Sequence, residues 1–147
     1  MKYVQDVVGE NVDVVSVSGM YLENLVEFLP VNLCMYEFVV VHCGTNDMVD
    51  ARSEWEFERV KEDDVDEKVI RWTLRDMQHV VSTILDRSPR TKVIISGILP
   101  RGVSMFAGGK SARRVNDLNK RAFRFNCIVN SIVAFSSRIF LLFSKNI

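Results

Sequence analysis

The chain has 147 residues, with 19 Lys and Arg against 19 Asp and Glu, and 48% of its residues are hydrophobic. Those proportions exclude a disordered, collagen-like or low-complexity chain. The length suits one domain, 1–147, with a single core.

In chain order, Tyr3, Val4, Val7 and Val8 recur at helical spacing, with Gly9 placed to end a helix. Val12, Val14, Val15 and Val17 predict a short strand closed by Ser18-Gly19. Leu22, Leu25, Val26 and Leu29 predict a helix over 20–29 that stops at Pro30. Phe38-Val39-Val40-Val41 is apolar on both faces, as in a buried parallel strand. The acidic stretch Glu54 to Glu67 reads as a solvated loop with room for a helical turn. A long helix follows from about Asp66 to Arg87, marked by Ile70, Leu74, Met77, Val81, Ile84 and Leu85 and ended by Ser88-Pro89. Val93-Ile94-Ile95 is another buried strand, running into Gly97-Ile98-Leu99-Pro100. A glycine-bearing loop, 102–109, leads to a helix with Val115, Leu118, Ala122 and Phe125, and Ile139 to Phe143 suits a last strand. Helices alternating with doubly apolar strands predict an α/β sandwich around a parallel sheet. The working residues of such sheets lie at the C-terminal ends of strands. Three places are therefore singled out: Ser18-Gly19, the residues after Val41 and those after Ile95.

The neutral total hides a division. Residues 1–75 carry 7 basic and 16 acidic side chains, whereas residues 76–147 carry 12 and 3. Two halves attracting each other within one domain account for this; separate acidic and nucleic-acid-binding faces are the alternative. No stretch interleaves dense Lys and Arg with aromatics for base stacking, which argues against nucleic acid. Cys34, Cys43 and Cys127 have no metal-ligand spacing and are expected to be reduced, buried thiols. No metal or cofactor is expected. The opening residues have no apolar signal-peptide core, and the apolar tail from Cys127 to Phe143 is interrupted by polar residues, so a cytoplasmic protein with no membrane span is expected.

After Val41 comes His42-Cys43-Gly44-Thr45-Asn46-Asp47. A glycine here lets backbone approach a ligand, and an Asn amide can donate to a developing oxyanion. A polar turn in which Asn46 and Asp47 cap the next segment is the structural alternative. This block in its strand context resembles the G-x-N-D block of the SGNH (GDSL-type) hydrolases. Ser16-Val17-Ser18-Gly19 is similar to the family's second block. Val93 to Arg101 resembles its fourth strand and following loop, and Val115-Asn116-Asp117-Leu118-Asn119 the next helix.

The resemblance, over roughly residues 1–125, implies a three-layer flavodoxin-like fold and hydrolysis of carboxylic esters by a Ser nucleophile. It implies Gly19 and Asn46 as oxyanion donors, with Gly44 shaping the turn, and a small ester or acylated substrate. In the family the nucleophile sits in a Gly-Asp-Ser block after the first strand, and a C-terminal Asp-x-x-His supplies the base. This sequence contains no Gly-Asp-Ser and nothing of the kind after Ile139. The expectation is therefore an esterase-like domain incomplete at both ends, its first strand missing, and inactive alone. A binding domain for acyl, carbohydrate or nucleic-acid groups is the alternative.

Several residues compete for catalytic roles. Asp76-Met77-Gln78-His79 spells D-x-x-H within the long helix, where His79 is expected to face solvent. His42 is read as a packed or hydrogen-bonded residue in preference to a base, and Cys43 as a small apolar residue in preference to a nucleophile. Ser16 and Ser18 are hydroxyls without a base nearby in sequence. Gly108-Gly109-Lys110-Ser111 resembles the end of a phosphate-binding loop, but the required earlier glycine is Ser104. The basic run Lys110, Arg113, Arg114, Lys120, Arg121 and Arg124 reads as a solvated helix face.

Overall fold

The computed structural model describes residues 11–48, 62–102 and 112–142. The expected helix at 3–8, most of the acidic stretch, the glycine-bearing loop and the sequence 108–111 lie outside the described residues. In chain order the elements are α1 (Leu22–Leu25), β1 (Phe38–Val41), α2 (Glu62–Arg87), β2 (Lys92–Ser96), α3 (Ala112–Val133) and β3 (Ile139–Leu142). The strands form one parallel sheet in the order β1-β2-β3, pairing Val39 with Val93 and Val93 with Ile139. The protein is thus an α/β fold.

The two long helices arise where the three- and four-residue apolar spacing is strongest. On α2, Val69, Ile70, Met77, Val80, Val81 and Ile84 are buried, and on α3 so are Val115, Leu118, Ala122, Phe125 and Val129. Most of these pack with Val41, Val93 and Ile95 in one core, and Val39, Ile139 and Leu141 are partly buried against it. All six strand residues lie on one face of the sheet, because side chains alternate along each strand and the parallel register aligns the alternation. Both helices therefore cover the same face. The other face carries Phe38, Val40, Phe140 and Leu142, all exposed, around half-buried Lys92, Ile94 and Ser96. Of the three layers expected, the described residues form two.

Local differences from expectation have physical causes. Val12–Val17 does not form the expected strand. A strand needs a ladder partner, and β1 pairs only with β2 among the described residues. The segment is instead held at its ends. Asp13 Oδ2 accepts from the Tyr36 hydroxyl at 2.5 Å, just before β1, and Met20 O accepts from Asn46 Nδ2 at 3.4 Å, just after it. The segment thus runs in the direction of β1 without joining its ladder. The helix expected over 20–29 is only α1 plus a 3₁₀ turn, Val26–Phe28. Leu29 is already extended (φ −66°, ψ 137°), as a residue preceding proline must be.

The acidic residues from Glu62 onward belong to α2, not to a loop. Asp66 pairs with Arg121 and Glu67 with Arg124 across to α3, so the acidic and basic halves do meet within the domain. The thiols differ from expectation as well. Cys34 and Cys127 are exposed and only Cys43 is half-buried, because Leu33 and Asn126 take the inward positions beside the first two.

The hydrogen bond from Tyr36 to Asp13 also marks the phenol chemically. That bond, with partial desolvation and the Asp13 charge adding to it, raises the Tyr36 pKa above its ordinary 10.0. The tether is fully present below pH 10.0 and is lost as pH rises through the elevated folded value. An ultraviolet titration should show one tyrosine ionising above the ordinary range. Asp13→Asn should bring it back toward that range; an unchanged titration would show that the contact does not form in solution.

Candidate functional site

Two loops meet beyond the C-terminal end of β1. One holds Gly19 and Met20 ahead of α1; the other is Gly44 to Met48. Gly44 has φ +118°, and a Cβ there would lie 3.0 Å from Ile98 Cδ1 and 3.7 Å from Leu22 Cδ1. Only glycine lets this backbone turn while packed so tightly. Met48 N–H closes the turn onto Gly44 O at 3.3 Å. Gly19, at φ +72°, is exposed, and a Cβ there would meet nothing within 4 Å.

Asp47 joins the loops. Its carboxylate is 3% exposed and accepts from the Leu22 backbone N–H at 3.2 and 3.3 Å. Leu22 is the first residue of α1, so its N–H has no partner within the helix, and the negative charge also suits a helix N-terminus. The structural alternative had Asp47 capping the segment after it; its carboxylate holds a helix start 25 residues before it instead. Asn46 Nδ2 is directed at the carbonyl of Met20, the residue after Gly19.

Arg101 fixes the amide. Its guanidinium donates to Thr45 O at 3.1 Å and Asn46 Oδ1 at 3.2 Å, which leaves Nδ2 facing the Met20 side. Burial lowers the Arg101 pKa from its ordinary value, and Tyr21 acts in the opposite direction. Arg101 is itself held by α3. Asn119 accepts from Arg101 N at 2.8 Å and donates to Arg101 O at 3.0 Å. Two turns along, fully buried Asn126 makes the same pair of bonds to Ile98, both at 2.9 Å. These amides imitate a strand partner for chain that has left the sheet. Asp47, Arg101 and Asn119 fell within the segments of the resemblance and Asn126 did not, but none was matched to these partners, which lie 18 to 56 residues away.

Of the other candidates, Cys43 borders this cluster at Met20 O. His42 is exposed, and its Nδ1 is 2.9 Å from Ser96 Oγ across β1 and β2, on the open face. Asp76 is buried while His79 stands exposed, so the helical D-x-x-H does not converge on the loops. Ser16 and Ser18 are exposed, and Cys43 Sγ is 3.7 Å from Met20 O. The depression lined by Thr45, Met48, Ile98, Leu99, Arg101, Leu118, Asn119 and Ala122 has a volume of about 10 Å³. That is room for about one water, far below the ~300–1,000 Å³ of a small-molecule pocket. Among the described residues no group of three or more His, Cys, Asp or Glu is placed to hold a metal ion, and no helix is long and apolar enough to cross a membrane. No family model matches the chain, and no curated protein matches it.

The glycines give a graded test. Gly44→Ala combines a forbidden φ with a close contact and should cost about 2–4 kcal/mol, whereas Gly19→Ala, strained but uncrowded, should cost about 1–2 kcal/mol. Denaturant melts of the two variants measure the difference, and equal costs would show that Gly44 is not packed as described. Asp47→Ala leaves the Leu22 N–H without its acceptor and should cost about 1–3 kcal/mol by the same measurement.

Proposed function

We propose that the chain is an SGNH hydrolase-like domain of flavodoxin-like topology that holds the oxyanion-stabilising half of an esterase site. The bond from Asn46 Nδ2 to Met20 O beside Gly19, with Asp47 clasping the two loops and Arg101 aiming the amide, is the observation that supports this reading. On this reading β1, β2 and β3 correspond to the third, fourth and fifth strands of the family sheet. The edge of β1 away from β2, and the Val12–Val17 segment outside the ladder, then flank the position of the first strand. Asn46 Nδ2 exchanges its long bond to Met20 O for the oxygen of an acyl group, and the Gly19 N–H donates beside it. Such donors favour the charge that develops on a carbonyl oxygen during acyl transfer. The ligand is a small ester or its carboxylate product.

The same reading assigns no turnover to this chain alone. It has no Gly-Asp-Ser, His42 is bonded to Ser96 on the open face, and His79 is exposed on α2. Removing the nucleophile or base of a triad hydrolase costs on the order of 10⁶ in turnover. The basic helix is less suited to nucleic acid, because Arg121 and Arg124 are engaged by Asp66 and Glu67.

Two measurements test the proposal. Titration with acetate, followed by amide NMR, should shift the Gly19 N–H and the Asn46 side-chain amide together, and Asn46→Ala should abolish the Gly19 response. Absence of both shifts would remove the oxyanion-site assignment. Hydrolysis of a p-nitrophenyl ester should stay at background; turnover blocked by a serine-directed phosphonate would show that a complete site exists in this chain.

A further inference from the structure

At the C-terminal edge of the open sheet face, His42 Nδ1 lies 2.9 Å from Ser96 Oγ. The parallel register accounts for the meeting. Val41 pairs with Ile95, so the next position sets His42 beside Ser96, and Ser96 itself pairs with Leu142. Side chains alternate along a strand, so the same face carries Val40, Ile94 and Phe140 in the row before. His42 is exposed and Ser96 half-buried, while Val40 and Leu142 beside them are 59% and 62% exposed. A serine hydroxyl bonded to an imidazole thus stands at the end of an open apolar surface.

We propose that Ser96 is a nucleophile, activated by His42, that accepts an acyl group from an activated ester or thioester with an apolar acyl chain. In the tautomer with its proton on Nε2, His42 Nδ1 accepts the hydrogen bond from Ser96 Oγ and acts as general base. Oγ attacks the acyl carbonyl while His42 takes the hydroxyl proton, and an Oγ–C bond forms. The bond from the carbonyl carbon to the leaving oxygen or sulfur breaks, and His42 returns the proton to the departing alcohol or thiol. The products are an ester at Ser96 and the free alcohol or thiol, and nothing else is consumed. The acyl chain lies over Ile94 between Val40 and Phe140, where each covered methylene favours longer chains. The Gly97 N–H next to Ser96 is given to Leu142 O at 2.8 Å, so it does not serve as an oxyanion donor. Only acyl donors with a good leaving group therefore react, and the alkyl ester left on Ser96 persists. The inference stands independently of the proposed oxyanion site, whose acetate titration does not involve Ser96.

Labelling of the full chain with an alkyl fluorophosphonate, read by peptide mass spectrometry, tests the assignment. Phosphorus stands in for the acyl carbon, and fluoride leaves. One equivalent is expected on Ser96, and Ser96→Ala should remove it. His42→Gln keeps an acceptor for the hydroxyl but cannot take its proton, and should slow labelling about 100-fold or more. No label, label on other serines instead, or undiminished labelling of a folded His42→Gln variant overturns the proposal. Denaturant melts identify any variant that has lost its fold, and labelling of the unaltered chain decides the point without them. A p-nitrophenyl ester should release one equivalent of p-nitrophenol and then stop, about ten-fold faster for the hexanoate than for the acetate. Leu142→Ser should narrow that ratio; equal rates for the two esters in the unaltered chain overturn the apolar acyl specificity.

Discussion

The parallel strand order, joined by crossover connections, governs this structure. Each parallel strand pair, β1 to β2 and β2 to β3, is joined through one long helix, and the strands advance in one direction across the sheet. Right-handed crossovers in a constant direction must place their helices on the same side. Val41, Val93 and Ile95 are therefore sealed beneath α2 and α3, while Phe38, Val40, Phe140 and Leu142 face outward. The core and the open face are two results of one topological constraint.

The same arrangement builds the loop cluster. Parallel strands deliver their C-terminal ends to one edge, so the turn after β1 and the extended chain after β2 emerge side by side. There the ladder hydrogen bonds stop, and buried side chains replace them. Asn126 and Asn119 on α3 bond the backbone of Ile98 and Arg101, and Arg101 bonds Thr45 and Asn46. Asp47 completes the set by holding α1. Buried polar groups are costly unless satisfied, and these pairings meet that requirement while fixing the direction of the Asn46 amide. The geometry at Asn46 thus rests on helix α3, well away in sequence.

Charge follows the same path. The acidic start of α2 and the basic face of α3 lie together because both helices cover one sheet face, and Asp66 and Glu67 meet Arg121 and Arg124 there. These pairs are partly exposed and contribute little each to stability. Their effect is to occupy the basic face, and Arg121 also donates to Met48 O at 2.9 Å, tying that face to the site loop.

Sequence alone was sufficient for the features that depend on local periodicity. The apolar spacing of α2 and α3, the β-branched strands β1 and β2, the stop at Pro30 and the turn at Gly44 follow from neighbours within a few residues. The α/β fold class was legible on those grounds. What needed a distant partner was not legible. Val12–Val17 has the composition of a strand, yet becomes one only if another strand pairs with it, and β1 does not. Phe38–Val41 is apolar on both sides, which anticipates cover on both, but cover on each face depends on where other elements pack. Asp47 and Asn126 look like ordinary polar residues, and their roles depend on backbone groups 25 and 28 residues away. Periodicity is written locally, whereas hydrogen-bond partners and burial are assigned only when the chain has folded back on itself.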